Sequence, residues 1–175
     1  LITIDNDRDH TRPSTFGPGF IASMGAALDE VAAMPDLAGV AVTGKPFIFA
    51  VGADLSAVGS VTDPCQIKPF VKSGHDVLRR FGEMDIPTFA FVNGAAMGGG
   101  LELALHCDYR TISSGAAAIS FPEVFLGLIP GWGGAYLLPN LIGPADALQV
   151  IVANALQQNK QLKAKDAVRL HIMDV

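Results

Sequence analysis

The chain is predicted to be an α/β protein on three observations. Short β-type runs alternate with amphipathic helical runs, and Gly, Pro, Asn or Asp bounds each β run. Half of the residues are hydrophobic and the mean hydropathy is +0.37, enough apolar surface to bury a sheet behind helices. At 175 residues the expectation is a single domain spanning 1–175.

The opening "LITID" reads as the middle of a strand. Residues 20 to 34 then set Phe20, Met24, Leu28 and Val31 on one face at helical spacing, and Pro35 stops the pattern. Two β runs follow, Gly39 to Thr43 and Phe47 to Val51. A second amphipathic helix is expected over 67 to 84, where Ile67, Phe70, Val71, Val77, Leu78, Phe81 and Met84 share a face. Thr88 to Val92 is a buried-strand candidate, Asn93 and Gly94 a turn, Leu101 to Leu105 a short helix, and Tyr109 to Ser113 another strand. The alternating Phe47, Phe49, Phe89 and Phe91 are assigned to the core. Strand, strand, helix recurs as an order, without a repeat visible residue by residue. The closing "LHIMDV" also reads as mid-element, so both ends are expected to be trimmed from something longer.

Charge and cysteine content narrow the function. A net charge of −5 and a pI near 5.2 leave no basic excess to hold a phosphate backbone, so no nucleic acid partner is expected. Cys65 and Cys107 stand far apart, with no C-x-x-C and no His/Cys cluster, which argues against a disulfide framework and against a metal site. No apolar stretch approaches the ~20 residues of a membrane span, and the first residues lack a signal pattern. The expectation is a cytoplasmic protein with no membrane association.

The stretch "NGAAMGGGLELALHCD", residues 93 to 108, carries the first chemical signal. Gly98 to Gly100 lie between a strand and a helix, where backbone N–H groups are unpaired at the positive end of the helix dipole and glycine permits close approach. Such a junction suits an anion or a developing oxyanion. No phosphate-loop or G-x-G-x-x-G pattern runs through it. Two readings stay open for this stretch alone: that site, or glycines that serve helix–strand packing with Glu102 a solvated first-turn carboxylate.

Two further segments favour the first. In "FAVGADLS", 49 to 56, a β run ends at Val51 and "GAD" offers a second bend with free N–H groups, so two donors could converge on one oxygen. In "SFPEVFLGLIPGWGGAY", 120 to 136, Pro122 fixes the backbone before Glu123, and Val124, Phe125, Leu126 and Leu128 surround it with apolar side chains. An acid desolvated in this way has its pKa pushed up, as a general acid or base needs; the alternative is an exposed loop glutamate. His10, His75, His106 and His171 share no pattern with one another or with a serine or cysteine, and are read as structural or surface residues. Asp54 is read as a residue that shapes the "GAD" bend, and Asp108 as serving the end of its helix.

Together "GADL" at 52 to 55, "NGAAMGGGLELALHCD", "PEVFLGLIPGWGG" at 122 to 134 and "NKQLKAKDAVRLHIMDV" at 159 to 175 resemble, in that order and spacing, the enoyl-CoA hydratase/isomerase family, the crotonase superfamily. The resemblance implies a crotonase-like spiral of repeated β-β-α units, an acyl-CoA thioester substrate, and assembly as a homotrimer or hexamer. It implies no cofactor, coenzyme A being part of the substrate. By position, Ala53 and Gly99 match the residues whose backbone N–H groups form the family's oxyanion hole. Glu102 and Glu123 match the two glutamates of the hydratases, and Gly131 a glycine lining the water and acyl site. Val51, Gly52, Asp54, Leu55 and Trp132 complete the implied substrate-binding set. Both acids being present favours an enoyl-CoA hydratase of fatty-acid β-oxidation. The alternatives are a Δ3-Δ2 enoyl-CoA isomerase and a non-catalytic acyl-CoA-binding subunit. Trp132 stands where many members carry a small residue, so a narrowed or reshaped acyl pocket is expected. "KPFIFAVGAD" is longer than the corresponding family loop, and Lys45 is therefore not carried over as a coenzyme A contact. A weaker likeness, through Trp132, "LLPNLIGP" and "NKQLK", is to the hydratase module of fused β-oxidation proteins, which implies a hydroxyacyl-CoA dehydrogenase domain downstream.

Overall fold

The computed structural model describes residues 1–9, 11–54 and 64–175. Its strands are β1 (Ile2–Ile4), β2 (Val40–Gly44), β3 (Ile48–Val51), β4 (Thr88–Val92), β5 (Ala95–Met97), β6 (Tyr109–Ile112) and β7 (Ile119–Ser120). The helices are α1 (Pro18–Ala33), α2 (Pro64–Leu78), α3 (Gly99–His106), α4 (Gly134–Ile142), α5 (Pro144–Leu148) and α6 (Ala164–Arg169). Beyond α5 the chain runs through a π-helical segment, Gln149–Ala153, into Asn154–Leu156.

Two parallel sheets organise the molecule, one ordered β1-β2-β4-β6 and the other β3-β5-β7. Register is set by pairs such as Val40↔Thr88 and Phe89↔Tyr109 in the first sheet, and Ala96↔Ile119 in the second. Each strand-strand-helix unit thus adds one strand to both sheets before its helix returns the chain. That arithmetic is the spiral that the family resemblance implies. In β4, Thr88, Ala90 and Val92 face the core while Phe89 and Phe91 point away, as the period of two requires.

The aromatic alternation is therefore read incorrectly in the sequence. Phe49 is fully buried, but Phe91 lies on the outer face, and Phe47 is an exposed turn residue at φ +67 just before β3. Phe89 instead stacks on Tyr109 of the neighbouring strand, ring centroids 5.3 Å apart. The second predicted helix also ends early, at Leu78, and a 3-10 turn, Arg79–Phe81, continues it.

Candidate active site

Helix α3 follows β5 directly, and all eight of its residues are buried. A helix enclosed on every side is ordinarily apolar on every side, so Glu102 and His106 within it must find partners. Glu102, only 2% exposed, accepts hydrogen bonds at Oε1 from the Trp132 N–H (2.7 Å) and the Gly134 N–H (2.8 Å). Burial raises its pKa to about 7, against the pull of those two donors, which favour the anion. The open question of a solvated Glu102 is thus answered: the side chain is sealed in.

The donors belong to the Gly131–Gly134 turn, which packs closely on α3. A Cβ on Gly134 would stand 3.0 Å from Glu102 Cγ and 2.8 Å from the Phe121 ring, and Gly133 sits at φ +117. The G-x-G-G spelling is what lets backbone approach a buried carboxylate.

Glu123 comes from a different segment. It begins the 3-10 turn Glu123–Leu126, with Pro122 ahead of it. The residue is half-buried, yet its Oε2 is sealed from solvent and has no hydrogen-bond partner among the described residues. Burial first, and the charge of Glu102 in addition, raise its pKa to about 8, against its own backbone N–H. Gly98, at φ +53, makes room for it: a Cβ there would meet Glu123 Oε1 at 2.5 Å.

A third side is backbone. Ala53 bridges Phe16 in parallel fashion, with the Phe16 N–H donating to Gly52 C=O (2.8 Å) and the Asp54 N–H to Phe16 C=O (3.0 Å). In that ladder the intervening Ala53 N–H is turned away from Phe16. Gly99 is the first residue of α3, so its N–H is one of the orphan donors of a helix start. The two segments are close: a Cβ on Gly52 would lie 3.8 Å from the Gly99 nitrogen.

These groups surround one cavity of about 180 Å³. Ala53, Gly99, Glu102, Glu123, Gly131 and Trp132, singled out in the sequence, all line it. Val51, Gly52 and Asp54 do not: Val51 ends β3, Gly52 makes the bend at φ +76, and the Asp54 side chain lies beside Gly17 at the start of α1. Leu55 lies outside the described residues, as does His10. Trp132 is 4% exposed and forms an aromatic wall with Phe16 and Phe70, centroids 6.0 and 5.6 Å away. Leu128, expected beside Glu123, also lines the cavity, whereas Ile67, Phe70 and Val71 of α2 and Ile129 were legible as apolar but not as walls of a site.

Lys45 is no part of this cavity. Its ammonium is buried and donates to Asn6 Oδ1 and to the carbonyls of Arg8 and Asp9 (3.1 Å each), which holds the N-terminal loop. Among the described residues no group of three His, Cys, Asp or Glu could hold a metal ion, and no helix is long and apolar enough to cross a membrane.

The family model described as enoyl-CoA hydratase/isomerase matches residues 2–174. The chain belongs to the enoyl-CoA hydratase/isomerase family. A curated relative, fatty acid oxidation complex subunit alpha of Shewanella loihica, is 37% identical over 178 residues, covering 99% of this chain and 24% of that protein. The chain thus spans about a quarter of the length of the relative it matches. Among solved structures, an enoyl-CoA hydratase from Thermoplasma volcanium superposes with a TM-score of 0.85 at 28% identity, over 95% of this chain and 64% of that one. DspI of Pseudomonas aeruginosa does so with a TM-score of 0.82 at 29% identity, over 98% and 66%. Membership in the family and the crotonase fold agree with the sequence resemblance, and the fold supplies the cavity in which the two glutamates meet.

Proposed function

We propose that the chain is an enoyl-CoA hydratase that adds water across the 2,3 double bond of a 2-enoyl-CoA thioester in fatty-acid oxidation. The observation that carries this reading is a pair of glutamates in unlike surroundings on one apolar cavity, Glu102 buried and Glu123 half-buried with one oxygen sealed from solvent. Glu102 has two N–H donors that favour its anion, which suits a base toward water. Glu123 has an oxygen with no donor among the described residues and a pKa of about 8, which suits a group that holds its proton at neutral pH.

In this mechanism the thioester oxygen accepts from the Ala53 and Gly99 N–H groups, which draws electrons from C3. Water attacks C3 and gives its proton to Glu102, and the enolate that forms is held by the same two donors. Each donor of this kind lowers the barrier by about 3 kcal/mol. Glu123 then protonates C2. The carboxyls end with their protons exchanged, and transfer of one proton back from Glu102 to Glu123 restores them. The fatty-acid assignment is supported by the name of the Shewanella relative, which also supports a place for this unit within a larger oxidation protein.

The test follows the ultraviolet absorbance of crotonyl-CoA with the purified protein, beside Glu123→Gln. Loss of the conjugated signal, with one oxygen from labelled water in the product and a fall of ~100-fold or more in the variant, supports hydration. Interconversion of 3-enoyl and 2-enoyl thioesters without water uptake would point to the isomerase. Tight acyl-CoA binding without turnover would point to a binding subunit.

A further inference from the structure

Helix α3 buries a second polar side chain that the proposed mechanism does not use. His106 stands one helical turn after Glu102, at i+4, and is 9% exposed. Its Nε2 lies 2.7 Å from the carbonyl oxygen of Trp132. A carbonyl only accepts, so Nε2 carries the proton and the imidazole is fixed in that tautomer. The Trp132 N–H donates to Glu102 in the opposite sense, so one residue of the turn is held at both ends by two side chains of the same helix. Contact is tight on both sides: a Cβ on Gly133 would stand 2.8 Å from His106 Nε2, as one on Gly134 would crowd Glu102.

We propose that His106 is a positioning residue, which pins the Trp132–Gly134 turn to α3 so that its two N–H groups hold the Glu102 carboxylate. His106 touches neither the cavity nor the reacting atoms. The titratable groups facing it across a neighbouring cavity are His75, Arg79, Glu83 and Tyr136, and the His75 ring meets it edge-on at 5.9 Å. Burial holds the imidazole below the usual histidine range, which keeps it neutral and preserves the single Nε2–H donor. Without that donor the turn is free to leave Glu102, and a buried carboxylate short of donors is harder to ionise.

The role of His106 in catalysis rests on the proposed hydratase reading, whereas the clamp on Glu102 does not, and the experiment keeps the two apart. The Glu102 titration midpoint is followed by carbon-13 NMR of labelled glutamate in wild type, His106→Ala, His106→Gln and His106→Asn, beside kcat and KM for crotonyl-CoA. His106→Ala is expected to raise the midpoint by about one pH unit and to lower kcat ~10-fold, with KM changed less. His106→Gln, whose amide nitrogen can reach the carbonyl, is expected to restore both, and His106→Asn, which is shorter, is not. A folded His106→Ala with an unmoved midpoint overturns the proposal. If that variant does not fold, equal midpoints in the Gln and Asn variants overturn it. A wild type without hydratase turnover but with the expected midpoint shifts leaves the clamp standing and sinks the hydratase reading instead.

Discussion

Glu102 and Glu123 meet in one cavity, but the chain delivers them by opposite means. Glu102 rides on a helix buried on every side, and its Oε1 is held by two backbone donors. Glu123 rides on a single 3-10 turn among exposed apolar side chains such as Phe125 and Leu126, and its Oε2 has no donor among the described residues. Under the proposed mechanism this difference suits the two acids to different states, Glu102 eased toward the anion by its donors and Glu123 holding its proton. Burial raises both pKa values, and the two turn donors at Glu102 are what the proposed roles rest on.

The largest expected effect comes from abolishing the difference. Glu102→Gln and Glu123→Gln should each lower kcat for crotonyl-CoA by ~100-fold or more, a barrier rise of ~2.7 kcal/mol. The double variant should fall little further, because two groups acting on one water work as a unit. A double variant whose loss equals the product of the two single losses would show that they act independently.

Next come the glycines that admit each carboxylate. In Gly134→Ala the new methyl must displace the Phe121 ring or Glu102, and overpacking of this kind costs ~1–3 kcal/mol. In Gly98→Ala the same order of cost arises from backbone strain at φ +53 and from contact with Glu123 Oε1. Thermal unfolding should register both losses, while NMR should find the Glu102 midpoint raised in the first variant and unmoved in the second. A Glu102 midpoint that ignores Gly134→Ala would mean that the turn donors do not govern its ionisation.

How much of this was readable in the sequence follows from the same contrast. Helix α1 was legible because a period of 3.6 shows over sixteen residues, and strand β4 as a five-residue apolar run between Pro87 and Asn93, although its inward face was assigned to the wrong side chains. Strands β5 and β7, three and two residues long, are too short for any period, and Ala95–Met97 resembles a loop. Phe47 was misplaced because a positive φ leaves no mark on a phenylalanine. Both glutamates could be picked out from their apolar neighbours. The N–H groups of Trp132 and Gly134 that hold Glu102 could not, since a backbone donor has no letter of its own, and only the crowded glycines hint at its direction. The spacing of Glu102 and His106 was visible as i, i+4, but its meaning depended on a turn twenty-six residues further on.

The smallest expected effect is the difference between the two acids in the pH dependence of stability, and it separates them most directly. Both have folded-state pKa values raised above the ordinary 4.5, to about 7 for Glu102 and about 8 for Glu123. Between 4.5 and those values the folded chain keeps protons that the unfolded chain has released, so stability falls as pH rises, by up to ~1.4 kcal/mol per unit for each group. Below 4.5 both states are protonated, above 8 both are ionised, and this contribution levels off. In Glu123→Gln only the Glu102 slope persists, and chemical denaturation across pH 4 to 9 should find it levelling near 7. In Glu102→Gln the slope should continue toward 8, stopping somewhat short because the charge of Glu102, which helps to raise Glu123, is gone. The separation is therefore at most about one pH unit, or ~1.4 kcal/mol. Curves that level at the same pH, or in the reverse order, would mean that the backbone donors fail to set the two acids apart, and the assignment of base and proton donor would have to be exchanged or abandoned.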